Sequence, residues 1–581
     1  MNILFFATSN FKPDSGGIAE LGHQLATALC KIGNNVTVIA GGEKDSDDNH
    51  QPYSIVRTSK SQPKSLAQDL AKELHLAAVF VLVIGSSWRT AKWISRKFDI
   101  PLVLYIHGLE ITKRNNSYPV FAAKQFVKGW ILKKSDLVLC NSFNTMLLSI
   151  KRGADPKKVR VLNPGISLRN ETRKPVGYRD PAPDKIVFFT MGRLIRRKGV
   201  DNTIRALPLI IEEYPNLLYV IAGDGLPEYR QELEKIAASL GVSEYVLFLG
   251  RIDEYEKERW YYRHDIFIMP SRRLADGDVE GFGIVFLEAG AWGKPVIGGM
   301  SGGVPDAIED GKSGFLVNPE SIEDIAYSMR ILLASPEKRV TMGIYGRKRV
   351  EKHFSWEHQA ERFVNLIQPV NLPQQKKDFN DWKDLPKNET LNKKISKENL
   401  LILKETFDAA GLPFMIFFGT LLGAFREHDF ITHDTDTDII LFESYRDLFN
   451  EVLPELEAQG LILTRSVKEN RVLSLYRNGE YIDLYFVILK RIGIRKKWYI
   501  DLSSVSKNYL LSYKYYEFLG ELFKVPENSV KVLKELYGRK WKIPVKDYEA
   551  NHDYIMKLNR FIRRKNKRSS VGKFIKWIRE R

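Results

Sequence analysis

Glu280 and Glu288 stand eight positions apart in Asp278-Val279-Glu280-Gly281-Phe282-Gly283-Ile284-Val285-Phe286-Leu287-Glu288-Ala289-Gly290. Gly281 and Gly283 permit tight turns and close approach to a ligand. The apolar run behind them predicts a helix over 284–292, whose N-terminus would offer free amides to an anion or a sugar hydroxyl. Glu280 would stand at the mouth of that helix and Glu288 roughly one turn inside it. The pair could then reach two parts of one elongated ligand. A second acidic set, Asp434, Asp436 and Asp438, alternates into an apolar run. On a strand the three would share one face, and like charges so close call for a cation. Mg²⁺ fits, since it takes one or two carboxylates and completes its shell with phosphates and water. Asp483, which interrupts the β-like run 481–487, is a candidate third carboxylate. Each pattern alone has a plain alternative: a helix with a glycine-rich entry and solvated glutamates, or an acidic solvated turn.

The elements that must position these residues alternate from the start of the chain. Segments 3–7, 36–40, 79–84, 102–106 and 137–140 read as buried parallel strands, with helical stretches such as 18–32 between them. This is the doubly wound α/β pattern, in which ligands sit at the carboxyl ends of strands. Ser15-Gly16-Gly17 follows the first strand and opens a helix, where paired glycines can bring amides to a diphosphate. His107 follows the strand at 102–106. The polar, proline-bearing stretch 169–184 reads as an interdomain linker. Arg193 and Lys198 then lie five positions apart on a loop entering a helix, placed to stabilise a diphosphate leaving group. Further strands are expected at 186–190, 219–222, 246–249 and 266–269, and a last helix at 356–367.

These motifs resemble the retaining nucleotide-sugar glycosyltransferases of family four, which have the GT-B fold of two Rossmann-like domains. The Glu280 to Glu288 spacing is similar to that family's E-x7-E signature. Lys294 to Gly299, Ser301 to Asp306 and Gly311 to Val317 follow in the family's order. The resemblance implies that Glu280 holds hydroxyls of the donor sugar and Glu288 the ribose. It implies that Arg193 and Lys198 hold the diphosphate, with Arg196 and Arg197 left as general positive field. Gly16 and Gly17 would face the diphosphate and acceptor, His107 the donor sugar and its phosphate, and Arg251 the nucleobase. Gly283 would allow close approach. The implied reaction needs no metal and no covalent nucleophile. The acceptor hydroxyl attacks from the face the nucleotide leaves, through an oxocarbenium-like state, and a donor phosphate oxygen takes the proton. The stretch 278–289 leans toward GDP-mannose, with UDP-sugars open.

Beyond the polar linker 369–395, Gly419-Thr420-Leu421-Leu422-Gly423-Ala424-Phe425-Arg426 precedes the alternating acids. This stretch, with Val525-Pro526-Glu527-Asn528 and Leu536-Tyr537-Gly538, resembles the LicD and fukutin-like nucleotidyltransferases. A Trp and the second Asp of that family's acidic run are missing. The resemblance implies that Asp436, Asp438 and Asp483 bind Mg²⁺ or Mn²⁺, that Gly419 and Thr420 face nucleotide phosphates, and that Arg426 contacts a phosphate. The implied chemistry moves a phospho-substituent from a CDP-type donor to a sugar hydroxyl.

At 581 residues the chain requires several domains. The expected division is an acceptor-side GT-B domain at 1–170, joined by the crossing helix 355–368; a nucleotide-sugar domain at 171–354; the linker 369–395; an α+β nucleotidyltransferase-like domain at 396–545; and a basic tail at 546–581. Two cysteines, Cys30 and Cys140, cannot make a disulfide framework and point to the cytoplasm. The opening residues read as a strand, not a signal peptide. No apolar run reaches the roughly 18 residues of a membrane span. From Lys557 onward Lys and Arg number 11 against one acid, with Val571, Phe574, Ile575 and Ile578 at helical spacing. This predicts an interfacial helix on anionic lipid. The net charge of +18 then needs no nucleic acid. The expectation is a bifunctional enzyme on the inner membrane face, working on a glycan or lipid-linked acceptor. The alternatives are a single-activity glycosyltransferase whose last domain only binds, and a scaffold.

Overall fold

The computed structural model describes residues 1–7, 11, 17–43, 46–58, 64–84, 87–112, 118–168, 174–175, 177–368, 390–431, 434–467, 471–492, 495–500 and 503–543. Gly16, most of the linker and the basic tail lie outside the described residues. The chain forms two compact units. One takes in residues up to 378 with 402–413 and 443–459; the other takes in 379–401, 414–442 and 460 onward.

The first unit carries two parallel sheets. In the first, β1 (Asn2–Ala7), β2 (Asn35–Gly41), β3 (Ser54–Thr58), β4 (Ala78–Val81), β5 (Leu102–Ile106), β6 (Leu137–Cys140) and β7 (Val159–Val161) run in the order β3-β2-β1-β4-β5-β6-β7. In the second, β8 (Ile186–Met191), β9 (Leu217–Ala222), β10 (Val246–Gly250), β11 (Ile266–Met269), β12 (Val296–Gly299) and β13 (Gly314–Val317) run in the order β10-β9-β8-β11-β12-β13. The central strands are apolar on both faces because helices cover both, and β4, β5 and β11 are buried throughout. Each sheet reverses its order once, at β1/β4 and at β8/β11. A crevice opens at such a switch point. This is the GT-B architecture expected from the sequence.

The helix Trp356–Ile367 returns to the first sheet. Ser355 caps it, its Oγ accepting from the His358 amide at 3.2 Å. Trp356, Ala360, Phe363 and Ile367 then join the core built on Phe5, Phe80 and Tyr105. Gly165 makes room for it, since a Cβ there would stand 2.6 Å from the Trp356 ring. The helix Arg446–Ala458 is also held in this unit, with Arg160 Nε to Asp447 Oδ2 at 2.7 Å and Ser444 Oγ donating to the Pro156 carbonyl at 3.2 Å.

The second unit holds a mixed sheet. β14 (Met415–Ile416), β15 (Thr437–Phe442), β16 (Ile462–Val467), β17 (Val472–Arg477) and β18 (Glu480–Ile492) run in the order β14-β15-β18-β17-β16. Only β15 and β18 are parallel neighbours. A helix, Phe418–Arg426, lies between β14 and β15 in sequence. Among the described residues no helix is long and apolar enough to cross a membrane.

Candidate active sites

The loops after β8 and β11 flank the second switch point, and they carry the cations and Glu280. A short 3-10 turn, Arg196–Lys198, ends at Gly199 in the left-handed region at φ +74°. A side chain there would meet the Pro270 carbonyl at 2.2 Å, so glycine is required. The turn sends its three cations to three places. Arg196 pairs with Glu232 at the surface. Arg197 turns inward, 4% exposed, with Nε 3.0 Å from Asp278 Oδ1 and Nη1 donating to Glu280 Oε2. Lys198 Nζ donates to the same oxygen of Glu280 at 2.7 Å. Arg193 is exposed at the rim. The sequence-based view of Arg197 as diffuse positive field is therefore corrected: it is a buried partner of Asp278 and Glu280.

Burial works against the Glu280 charge, but Lys198 and then Arg197 overcome it and hold the carboxyl at about 2. Burial lowers the Lys198 ammonium below its ordinary range, and Glu280 opposes that fall. The result is an ionised carboxylate fixed between two cations in a cleft largely closed to water. Such a group is oriented before any ligand arrives.

Gly281 brings this loop against the first sheet. A Cβ at Gly281 would stand 2.2 Å from the His107 carbonyl oxygen and 2.9 Å from Asn141 Nδ2. His107 sits just past β5, 7% exposed. Its Nε2–H donates to the Leu82 carbonyl at 2.8 Å, which leaves Nδ1 as the acceptor nitrogen. Asn141 donates to the His107 carbonyl at 3.2 Å. Glu280, Gly281 and His107 thus meet between the carboxyl ends of the two sheets. Gly281→Ala is expected to force the loops apart, to cost about 1–3 kcal/mol by overpacking, and to raise the KM for donor. Urea unfolding and initial rates check this. Wild-type values in both would show that the contact is not needed.

Gly283, at φ +96°, precedes the helix Ile284–Ala291. Glu288 lies within that helix as expected. Its Oε2 accepts from Tyr261 Oη at 2.6 Å, and its Oε1 lies 3.1 Å from Lys257 Nζ. Burial, then Glu288, raises the Tyr261 hydroxyl well above its ordinary range, so it stays a donor. Tyr261 and Lys257 were not singled out from the sequence; their only signal was the aromatic and charged run before β11. Arg251 is exposed just past β10. Gly17 opens the helix Gly17–Lys31, and among the described residues a Cβ there would meet nothing within 4 Å. Its lack of a side chain is not demanded by packing.

In the second unit the strand begins only at Thr437. Asp438 is on β15, while Asp434 and Asp436 lie in the loop before it. The expectation that all three share a strand face is thus corrected, because the alternation of faces requires strand geometry that starts too late. Asp438 instead faces Asp483, its direct register partner on the parallel strand β18. Both are buried. Asp438 Oδ2 accepts from the Gly419 amide at 2.9 Å, and the Asp438 amide donates to Thr420 Oγ1 at 2.8 Å. Ser474 Oγ donates to Asp483 Oδ1 at 2.6 Å. At Gly419 a Cβ would collide with Asp434 Oδ2 at 2.0 Å, so Asp434 also leans on this turn. Arg426 is at the other end of its helix, about 11 Å along the axis from Gly419, and pairs with Glu427 at 2.7 Å.

Burial raises the Asp438 carboxyl well above its ordinary range, and Asp436, Asp434 and Asp483 raise it further. This all-oxygen, electron-rich donor set suits a hard divalent cation. Among the described residues, no three or more Asp, Glu, His or Cys side chains converge into a finished metal cluster.

Family models match both regions of the chain. The model described as "Glycosyl transferases group 1" matches residues 179–349, and "Glycosyltransferase Family 4" matches 15–170. The model "LicD/FKTN/FKRP, nucleotidyltransferase domain" matches 411–528. The chain is 37% identical over 217 residues to the GDP-mannose-dependent monoacylated alpha-(1-6)-phosphatidylinositol monomannoside mannosyltransferase of Corynebacterium glutamicum, covering 37% of this chain and 54% of that one. It is 30% identical over 307 residues to the D-inositol 3-phosphate glycosyltransferase of Rhodococcus erythropolis, covering 49% of this chain and 67% of that one. The match spans about half the length of the mannosyltransferase relatives. Among solved structures, Anabaena HepE in complex with UDP aligns over 64% of this chain and 100% of its own, with a TM-score of 0.53 and 20% identity. At that identity the likeness is one of fold.

Proposed function

The chain belongs to the family-four glycosyltransferases and carries a LicD domain in its C-terminal region, and from that premise we propose that it builds a surface glycan with two activities. The first is retaining transfer of a hexose, mannose from GDP-mannose in the favoured case, to a glycan or lipid-linked acceptor. The observation that carries this reading is the Glu280 carboxylate, fixed by Arg197 and Lys198 at the meeting point of the two sheets.

In this reading Glu280 holds donor-sugar hydroxyls and Glu288 the ribose. Lys198 and Arg193 hold the diphosphate, and Arg251 lies toward the base. His107 Nδ1 accepts from a sugar hydroxyl or a protonated phosphate oxygen. Gly16 and Gly17 would face the diphosphate and the acceptor. Positive charge beside the leaving diphosphate stabilises it as the glycosidic bond breaks, and the acceptor hydroxyl enters from the same face. Two named mannosyltransferase relatives support the GDP-mannose preference. UDP-sugars are the alternative donors.

The second proposed activity moves a phospho-group from a CDP-type donor to a sugar hydroxyl. Asp438, Asp483 and Asp436 would hold Mg²⁺ or Mn²⁺, which when bound neutralises the carboxylates and polarises the phosphate. Gly419 and Thr420 would shape the turn under the phosphates, with Arg426 an outlying cation. The work would take place on the cytoplasmic face of an anionic membrane, with no nucleic acid involved. A single-activity enzyme, whose LicD domain only binds, is the second reading. It is favoured by the placement of Asp434 and Asp436 before the start of β15 at Thr437, off the strand that carries Asp438.

The test is thermal shift against GDP, UDP and CDP ligands with and without Mg²⁺, repeated on Glu288→Ala. Losing hydrogen bonds to a charged group is worth about 1.5–3 kcal/mol. Glu288→Ala is therefore expected to weaken the preferred nucleotide about 10- to 100-fold, with little change in kcat. Unchanged affinity would remove Glu288 from the site. A CDP response that needs Mg²⁺ would support the second activity, and no response to any cytidine ligand would favour the second reading.

A further inference from the structure

The helix Tyr118–Lys134 exposes apolar side chains that a folded surface ordinarily hides. Phe126 is 78% exposed, the most of any large apolar side chain among the described residues, with Val127 at 49% and Trp130 at 45%. Positions 126, 127 and 130 share one face of a helix. Trp130 packs edge-on against Trp88, with centroids 5.4 Å apart, so the patch continues onto the neighbouring helix Trp88–Phe98.

Cations flank this apolar surface. Lys133 and Lys134 are exposed a turn beyond Trp130 on the same face. Arg89 and Arg96 are exposed on the helix of Trp88. Asp136 is approached by Lys92 at 3.5 Å, Asp99 caps the far end of that helix, and Lys128, between Val127 and Trp130 in sequence, donates to the Glu110 carbonyl. Aromatic side chains ringed by lysine and arginine match the interface of an anionic bilayer. There the rings sit at headgroup depth and each nearby cation adds attraction. The cores of protein–protein interfaces are instead depleted of lysine, such as Lys133 and Lys134 supply here.

We propose that Phe126, Val127 and Trp130, with Trp88 and the cations around them, form a docking surface for an anionic lipid bilayer, separate from the basic tail. The proposal rests on the lipid-facing reading above and assigns it a place in the first unit. It would hold the acceptor-side sheet at the membrane.

The test is partition of the full-length chain onto vesicles of phosphatidylcholine alone and of phosphatidylcholine mixed with phosphatidylglycerol. Phe126→Ser with Trp130→Ser is expected to lower partition onto the mixed vesicles at least about tenfold. Melting temperature and transfer to a soluble acceptor should stay unchanged. Lys133→Glu with Lys134→Glu should lower it too, and more so at low salt. A full-length chain with Lys573→Glu, Lys576→Glu and Arg579→Glu should keep the binding that the serine variant loses. If only that tail variant loses binding, the lipid-facing reading survives and this surface is overturned. If no variant matters because the wild type ignores mixed vesicles, both fall. A wild-type dimer in sedimentation equilibrium that the serine variant abolishes, with partition unchanged, would assign the patch to a second copy and overturn the proposal.

Discussion

Glu280→Gln is expected to lower kcat for sugar transfer about 10²–10³-fold, the usual cost of removing one preorganised electrostatic group from a transition state. The amide keeps the shape but loses the charge that Arg197 and Lys198 bracket. It also leaves Arg197 with Asp278 as its remaining ion-pair partner. Removing one partner from a buried charge network costs about 3–5 kcal/mol, so the urea midpoint should fall as well. The two effects separate by measuring rates at saturating donor and at a temperature well below the variant's melting point. A kcat within about threefold of wild type under those conditions would leave Glu280 a structural ion-pair partner only.

The acid limb of stability gives an independent check on the same network. The folded carboxyl is held at about 2 against an ordinary value of 4.5. A depressed carboxyl adds stability that is fully present above the ordinary value and is lost as pH falls toward the folded one. The wild type should therefore lose stability between these limits more steeply than Glu280→Gln. Transfer itself should show no acid limb from Glu280 near neutrality, because the group stays ionised there.

The fold was legible because buried parallel strands leave continuous apolar runs. The runs at 102–106 and 137–140 correspond to β5 and β6 residue for residue. The edge strands β3 and β7 went unread: β3, Ser54–Thr58, is short and nowhere fully buried, so it carries no such run. The glutamate pair was legible from spacing and its glycines. The role of Arg197 was not. A run of three cations does not say which is buried, and a 3-10 turn points successive side chains about 120° apart. The ranking came from Asp278, a buried acid beside Glu280 that needed a partner. The acids at 434–438 misled in the same way. Alternation is informative only where a strand already exists, and pairing with β18 starts at Thr437. Asp483 could be singled out as an interruption in an apolar run, but its register against Asp438 required the sheet.

Asp438→Asn is expected to abolish the proposed phospho-transfer and yet raise the stability of the protein without metal. Burial and the carboxylates of Asp436, Asp434 and Asp483 raise the Asp438 carboxyl. A raised carboxyl takes stability away as pH climbs from its ordinary value toward the folded one, and that deficit is fully present above the folded value. Asn removes the deficit and can still accept from the Gly419 amide through its side-chain oxygen. A gain of about 2–4 °C at neutral pH corresponds to 1 kcal/mol in a domain of this size. Mg²⁺ should raise the melting temperature of the wild type by binding only the folded site, and should do little for the variant. Asp483→Asn should likewise remove the response to Mg²⁺, and it alters the carboxylate that accepts from Ser474. The two signs together distinguish a site built for a cation from an acidic turn. A solvated acidic turn would melt at the same temperature with or without the substitution, and with or without Mg²⁺. If Asp438→Asn instead destabilises the protein and Mg²⁺ shifts neither form, these carboxylates serve packing, and the second activity should be given up while the glycosyltransferase stands.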